Sequence, residues 1–462
     1  MRLSIHNLGS IASTKIDIAP LTVFVGPNNT NKTWTAYALY GLIQSIAQPW
    51  RTGPLGLDPF EAAQFDAPFK DNITRTLNQV VAYLNSGTSD TTSVDVKRDI
   101  LIRGVGFPFQ TQFNYAALQS LLALKSPLPS DTIATLEVHE NDLPRVDDAM
   151  IMHVTKLPQG VELGVQYSRN GQATTGYPTA ARGSDIPSLA NIISQLLRRL
   201  AFGAWGTVLT LPAERISTTS MYFRSFMFQP PGVQGPIHSG PVIDFGLYLD
   251  RTQYFFQPGR PESARVQKSP LAALLEQHIL GGRVGFTGDT TPRSLEFQLA
   301  NSQSSLRIHS ASSIVKSLGA LDLYLSGACG EGDLVVIDEP EMNAHPAAQM
   351  AISELLALMV NSGIKVIITT HSPYIVDHLK NLVEASQVSS QSHRESIGRR
   401  LKLGTEKAFL TPDKLAVYLF SGGEVTEIFN RQTRTLDWAT FSATSDEVAN
   451  LYSDILEAEP TQ

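Results

Sequence analysis

Apolar and polar side chains alternate from the first residues. The stretch RLSIHNL predicts a half-buried strand, and KIDIAPLTVFVG passes from alternation into an unbroken apolar run, the pattern of a strand covered on both faces. That run stops at Gly26. Directly after it, KTWTAYALYGLIQSIA sets Ala36, Leu39, Tyr40, Ile43 and Ile46 at three- and four-residue steps, which predicts a helix. A strand, a loop opened by glycine and a helix thus follow one another at the start of the chain.

The pattern then changes. DPFEAAQFDAPFKDNITRTLNQVVAYLNSG predicts helix, while TIATLEVHE and AMIMHVTKL predict strands. VELGVQYSRNGQATT predicts a hairpin turning at Asn170–Gly171. IPSLANIISQLLRRLAF returns to amphipathic helix, and WGTVLTLPAER predicts a strand that ends in polar residues. Two further apolar strands follow, Leu334–Ile337 stopped by Asp338–Glu339 and Val366–Thr369 stopped at His371. Between them AAQMAISELLALMVNSG predicts a helix halted at Gly363. Open α/β sheets bind ligands at strand C-termini such as these. Near the C-terminus, DKLAVYLFSGGEVTEIFN predicts two strands and a turn, SDEVANLYSDILEAE a helix, and SHRESIGRRLKLG a solvated basic loop.

The fold expected is α/β, a mixed sheet flanked by helices. Its core is discontinuous, residues 1–50 and 200–420, with an inserted segment of helices and short strands at 51–199 and an α/β extension at 421–462. A chain of 462 residues suits such a division. The net charge of −7 supplies no overall basic field to recruit nucleic acid or an anionic membrane. A single cysteine, Cys329, excludes intramolecular disulfides and cysteine-cluster zinc sites. The opening residues form a strand pattern rather than a signal peptide, and no apolar run approaches the ~20 residues that span a bilayer. A cytoplasmic protein without a membrane partner is expected.

The chemistry starts at Gly26-Pro27-Asn28-Asn29-Thr30-Asn31-Lys32-Thr33, which follows the phosphate-loop pattern G-x-x-x-x-G-K-[ST] except at Asn31. The second glycine of that pattern serves unusual backbone angles, and asparagine is the non-glycine residue that best tolerates positive φ. A magnesium nucleotide needs hard oxygen ligands beside the loop. The Thr33 hydroxyl and the Asp338 carboxylate meet that need, Glu339 is placed to polarise an attacking water, and His371 to reach a γ-phosphate. Ser310, Ser312 and Ser313 precede a helical run, Ile314–Leu325, as caps or as an anion site. His345, before Pro346, starts a helix.

Together GPNNTNKT, SASSIVKSL, LVVIDEPE and ITTHSP resemble the ABC-type ATPase head, and most closely the OLD-like ATPases of the AAA-15 or AAA-21 kind. The resemblance implies ATP and Mg2+ as ligands, with Gly26–Thr33 as Walker A, Asp338 as Walker B, Glu339 as catalytic glutamate and His371 as switch histidine. Ser312 and Ser313 would form the signature, presented to nucleotide on the opposite protomer of a head-to-tail homodimer or larger homo-oligomer. Leu211–Arg215 stands in the Q-loop region without its glutamine. Glu424 and Glu427 lack the acidic cluster of the Toprim nuclease that OLD proteins carry. Stand-alone ATPases of this type resemble the ATPase subunits of two-gene phage-defence systems such as PARIS and Septu. The implied role is a sensor or scaffold controlling a separately encoded nuclease or toxin, triggered by a phage protein or DNA. A Rad50- or RecF-like ATPase acting directly on DNA, and a non-hydrolysing nucleotide-dependent scaffold, are the alternatives.

Overall fold

The computed structural model describes residues 1–47, 108–139, 207–220, 239–255, 269–287 and 294–437, save 301, 303 and 328, with shorter pieces elsewhere, chiefly strands between 64 and 182. A six-stranded sheet forms its centre. The order is β11 (Val208–Leu211), β15 (Leu334–Asp338), β16 (Lys365–Thr370), β3 (Leu21–Val25), β17 (Leu415–Ser421) and β18 (Glu424–Glu427). The first five run parallel and β18 returns antiparallel, so the sheet is mixed. β3 and β15 are buried at every position, as unbroken apolar runs require.

Each face of the sheet carries its own core. Val336 of β15 and Ile367 of β16 pack with Ala36, Leu39 and Ile43 of α1 (Lys32–Ala47). The alternate residues Val335, Ile337 and Ile368 face a second core. There they join side chains of α5 (Ser313–Gly327), α6 (Pro346–Asn361) and α7 (Pro373–Ser386). The period-two alternation of a strand divides its side chains between the two faces in this way. The chain is therefore α/β, a mixed sheet flanked by helices.

A second, five-stranded sheet covers α1 in the order β2 (Ile11–Asp17), β1 (Arg2–Leu8), β7 (Ile133–Val138), β6 (Phe109–Asn114) and β4 (Gln64–Phe65). Leu3 and Ile5 of β1 meet Leu136 of β7 in the core that contains α1. Residues 109–138, inside the expected 51–199 insertion, thus share a sheet with the N-terminal hairpin. The same segment holds a four-stranded antiparallel sheet, β10 (Gln172–Arg182), β9 (Gly160–Arg169), β8 (Ile151–Leu157) and β5 (Ser93–Lys97). Gln172 pairs with Arg169 as a hairpin needs, while the expected turn at Asn170–Gly171 itself lies outside the described residues.

Some elements differ from expectation. The predicted helix from residue 58 contains the short strand β4, followed by helical positions at Asp71, Thr74, Arg75, Asn78 and Ala82. The basic stretch read as a solvated loop is helix α8 (Gln391–Arg400), capped by Ser390, whose hydroxyl accepts from the His393 amide. Its Arg394 docks 5.1 Å above the Phe409 ring and donates to the Ser386 carbonyl. Glu424 and Glu427 lie on β18, where Glu427 pairs with Arg431 at 3.1 Å. The helix predicted over residues 186–202 lies outside the described residues.

Candidate functional site

Strand register assembles the site. Asp338 is opposite Thr369 across β15 and β16, and Thr370 is opposite Val25 across β16 and β3. Three buried strands therefore end at one edge and deliver the loop at Gly26, the pair Asp338–Glu339 and His371 to the same place. A cavity of about 690 Å3 opens there, lined by residues 28–34 with Gly9, Ser10, Glu339 and His371.

The loop after β3 turns tightly enough to need special backbone angles. Gly26 has φ +138°, and a β-carbon there would fall 2.1 Å from the Phe420 carbonyl oxygen, so only glycine fits. Asn29 and Asn31 take φ +61° and +68°. Asn31 thus occupies the left-handed region that the usual glycine serves. The Lys32 ammonium is buried and donates to the carbonyls of Gly26 at 3.0 Å and Pro27 at 2.6 Å. Burial lowers its pKa to about 8, against the opposing pull of Glu339, Asp338 and Glu341.

Thr33, first residue but one of α1, donates its hydroxyl to Asp338 Oδ1 at 3.0 Å. Asp338 is buried and also accepts from the hydroxyls of Thr369 and Tyr37. Burial raises its carboxyl pKa above the usual range, and the bonds from Thr369 and Thr33 oppose that rise. A hydroxyl and a carboxylate converging at a loop rich in backbone N–H groups are the hard oxygen donors that magnesium takes. The donor set and the glycine-tight cradle fit a magnesium nucleotide.

Glu339 stands at the cavity mouth in a left-handed conformation, φ +51°, which is costly for a residue with a side chain. Its carboxylate lies 3.4 Å from His371 Nε2, and both side chains are about one-third exposed. That hydrogen bond from His371 holds the Glu339 carboxyl below its ordinary pKa, against partial burial. Glu339 is therefore ionised at neutral pH, with an acceptor open to solvent.

Arg215 holds this backbone. Fully buried, its guanidinium donates to the carbonyls of Asp338, Glu339 and Pro212, and to the carbonyl and hydroxyl of Ser317 on α5. The planar fork reaches five acceptors from one side chain, which lysine cannot do. Glu341 braces the opposite strand end, accepting from the Thr370 hydroxyl at 2.6 Å and the His371 amide at 2.8 Å. Neither residue carries a role in the sequence reading. A buried-strand ending such as LPAER offered the signal for Arg215, four of whose five acceptors lie over a hundred residues away.

Of the residues expected from sequence, Asn28, Asn29, Thr30, Asn31, Lys32, Thr33, Glu339 and His371 line one cavity. Gly26 and Pro27 lie behind it as Lys32 acceptors, and Asp338 lies beneath Thr33. Ser312 and Ser313 are outside it, exposed at the start of α5. His345 caps α6, its Nδ1 accepting from the Ala347 amide at 3.3 Å.

No curated protein matches the chain. Similar solved structures include an SmcHead bound to the C-winged helix domain of ScpA, at 10% identity and TM-score 0.36 over 92% of this chain and 96% of that one. An Smc head domain with an extended coiled coil from Pyrococcus furiosus, bound to the C-terminal domain of ScpA, is 9% identical with TM-score 0.36, over 97% and 98% of the two chains. The SMC head domain from Thermotoga maritima is 8% identical with TM-score 0.30, over 92% and 97%. Residues 251–377, which hold Asp338, Glu339 and His371 but not the Gly26–Thr33 loop, match the AAA_21 family, described as "AAA domain, putative AbiEii toxin, Type IV TA system".

Proposed function

We propose that this chain is an ABC-type ATPase that binds ATP with magnesium at the Gly26–Thr33 loop and hydrolyses it to ADP and phosphate. The observation that carries the reading is the Thr33–Asp338 contact at 3.0 Å, set under a loop that only Gly26 and the left-handed Asn29 and Asn31 allow. Thr33 and Asp338 would hold the metal, and Lys32 would leave the loop carbonyls to meet the β- and γ-phosphates as a point charge. Magnesium, when bound, neutralises charge on the phosphates. Glu339 accepts a hydrogen bond from the attacking water, and His371 steadies its carboxylate. Arg215 and Glu341 keep both groups in register. The match of residues 251–377 to an AAA-domain family supports the ATPase reading.

The same reading extends to regulation. The chain acts as a sensor or scaffold whose nucleotide state controls a separately encoded nuclease or toxin in anti-phage defence, as a homodimer or larger homo-oligomer. Motif resemblance and the toxin–antitoxin wording of the family description support this. Lys32→Ala tests the site: it should abolish magnesium-ATP binding while leaving the fold, read by circular dichroism, unchanged. Equal affinity in a folded Lys32→Ala protein would remove the assignment. Co-expression with the neighbouring gene tests the role, because toxicity should then depend on Lys32. DNA cleavage by the chain alone would instead make it an effector in its own right.

A further inference from the structure

We propose that Asn31 is a positioning residue, a strap whose carboxamide fixes the β1–β2 turn against the phosphate loop; this rests on the nucleotide reading of that loop. Asn31 Oδ1 accepts from the Ser10 hydroxyl at 2.9 Å and from the Ser10 amide at 3.3 Å. The contact continues on the other side of the carboxamide. A β-carbon on Gly9 would fall 1.8 Å from Asn31 Nδ2, so Gly9, at φ +61°, leaves room for that group alone. Gly9, Ser10 and Asn31 all line the cavity. The turn and the loop are thus two walls of one site joined by a single side chain.

A glycine at position 31 would satisfy the backbone equally well, since φ there is +68°. Backbone demand therefore does not account for asparagine, and the strap does. Two hydrogen bonds to one carbonyl oxygen reduce the freedom of an exposed turn before ligand arrives, which lowers the ordering cost of binding. The loop is set for phosphates by a residue that touches the turn rather than by the loop alone.

The test is a cycle of Asn31→Gly, Ser10→Ala and the double variant. Amide hydrogen exchange at residues 8–11 should rise in nucleotide-free Asn31→Gly, and Asn31→Asp, which keeps an acceptor, should restore protection. Asn31→Gly should raise KM for magnesium ATP about threefold to tenfold with kcat unchanged, the size of one or two ordinary hydrogen bonds. Ser10→Ala should raise KM less, and should add nothing in the Asn31→Gly background. Unchanged exchange at Ser10, or effects of the two substitutions that add, would overturn the strap. Failure of the wild-type chain to bind magnesium ATP would instead overturn the reading of the site on which it rests.

Discussion

Two of the glutamate–histidine pairs among the described residues have histidines seven positions apart, and they live in opposite surroundings. Glu339 and His371 meet at 3.4 Å at the cavity mouth, each about one-third exposed. Glu354 of α6 and His378 of α7 meet at 2.8 Å with Glu354 fully buried. The buried carboxylate also accepts from the backbone amides of Lys402 and Leu403. Three donors on two oxygens occupy most of its roughly four acceptor sites in joining two helices to the chain that follows α8. Glu339 has one such partner and faces solvent. The residue types are the same; the unused acceptor capacity and access to water separate a group able to engage a ligand from one that holds the fold.

The largest effects should divide along that line. Glu339→Gln should lower ATP turnover about a hundredfold or more, because an amide cannot polarise water as a carboxylate does. Its thermal midpoint should stay within error of wild type. Equal turnover in the variant would show that the exposed pair has no chemical role. Glu354→Gln should do the reverse. An amide NH2 turned toward the Leu403 amide sets donor against donor in a buried place, a cost of about 2 kcal/mol. Urea titration should show that loss of stability while the folded fraction keeps its turnover. A stable Glu354→Gln chain with lost activity would erase the distinction between the two pairs.

Local pattern carried the parts of this site that lie within a few residues of one another. The apolar run Leu21–Val25, the stop at Gly26 and the helical spacing from Ala36 are all short-range signals, and the elements stand where they predict. Positive φ at Asn31 followed from the conformational tolerance of asparagine. Long-range partners left no such trace. Arg215 in LPAER resembles any polar end of a strand until folding brings the carbonyls of Asp338 and Glu339 over its guanidinium. β7 reads as a strand, but nothing in its own residues names β1 as its partner. α8 was missed for a different reason. Its residues QSHRESIGRR lack the apolar stripe that signals a helix, and its start is marked by Ser390 alone. The strap from Asn31 to Ser10 likewise joins segments whose link is visible only in three dimensions.

The smallest expected effect is electrostatic, and it sharpens the comparison of the two pairs. In the ligand-free protein burial holds the Lys32 pKa down at about 8. Phosphates favour the charged ammonium, so the bound state has the higher pKa. Affinity for magnesium ATP is therefore greatest below pH 8 and falls as pH rises through that value, by about tenfold for each unit beyond it until the bound-state pKa is reached. The Glu339 carboxylate is the leading influence that raises the Lys32 pKa against burial. Removing that charge with Glu339→Gln should move the midpoint of the affinity–pH curve to lower pH, although overall affinity gains from less repulsion of the phosphates. Glu354, absent from the groups that act on Lys32, should leave the midpoint in place when changed to glutamine. Calorimetric titration of the three proteins from pH 6.5 to 9.5 measures both quantities. Identical midpoints in wild type and Glu339→Gln would show that the exposed carboxylate does not act on Lys32, and the two pairs would then differ in exposure and acceptor capacity alone.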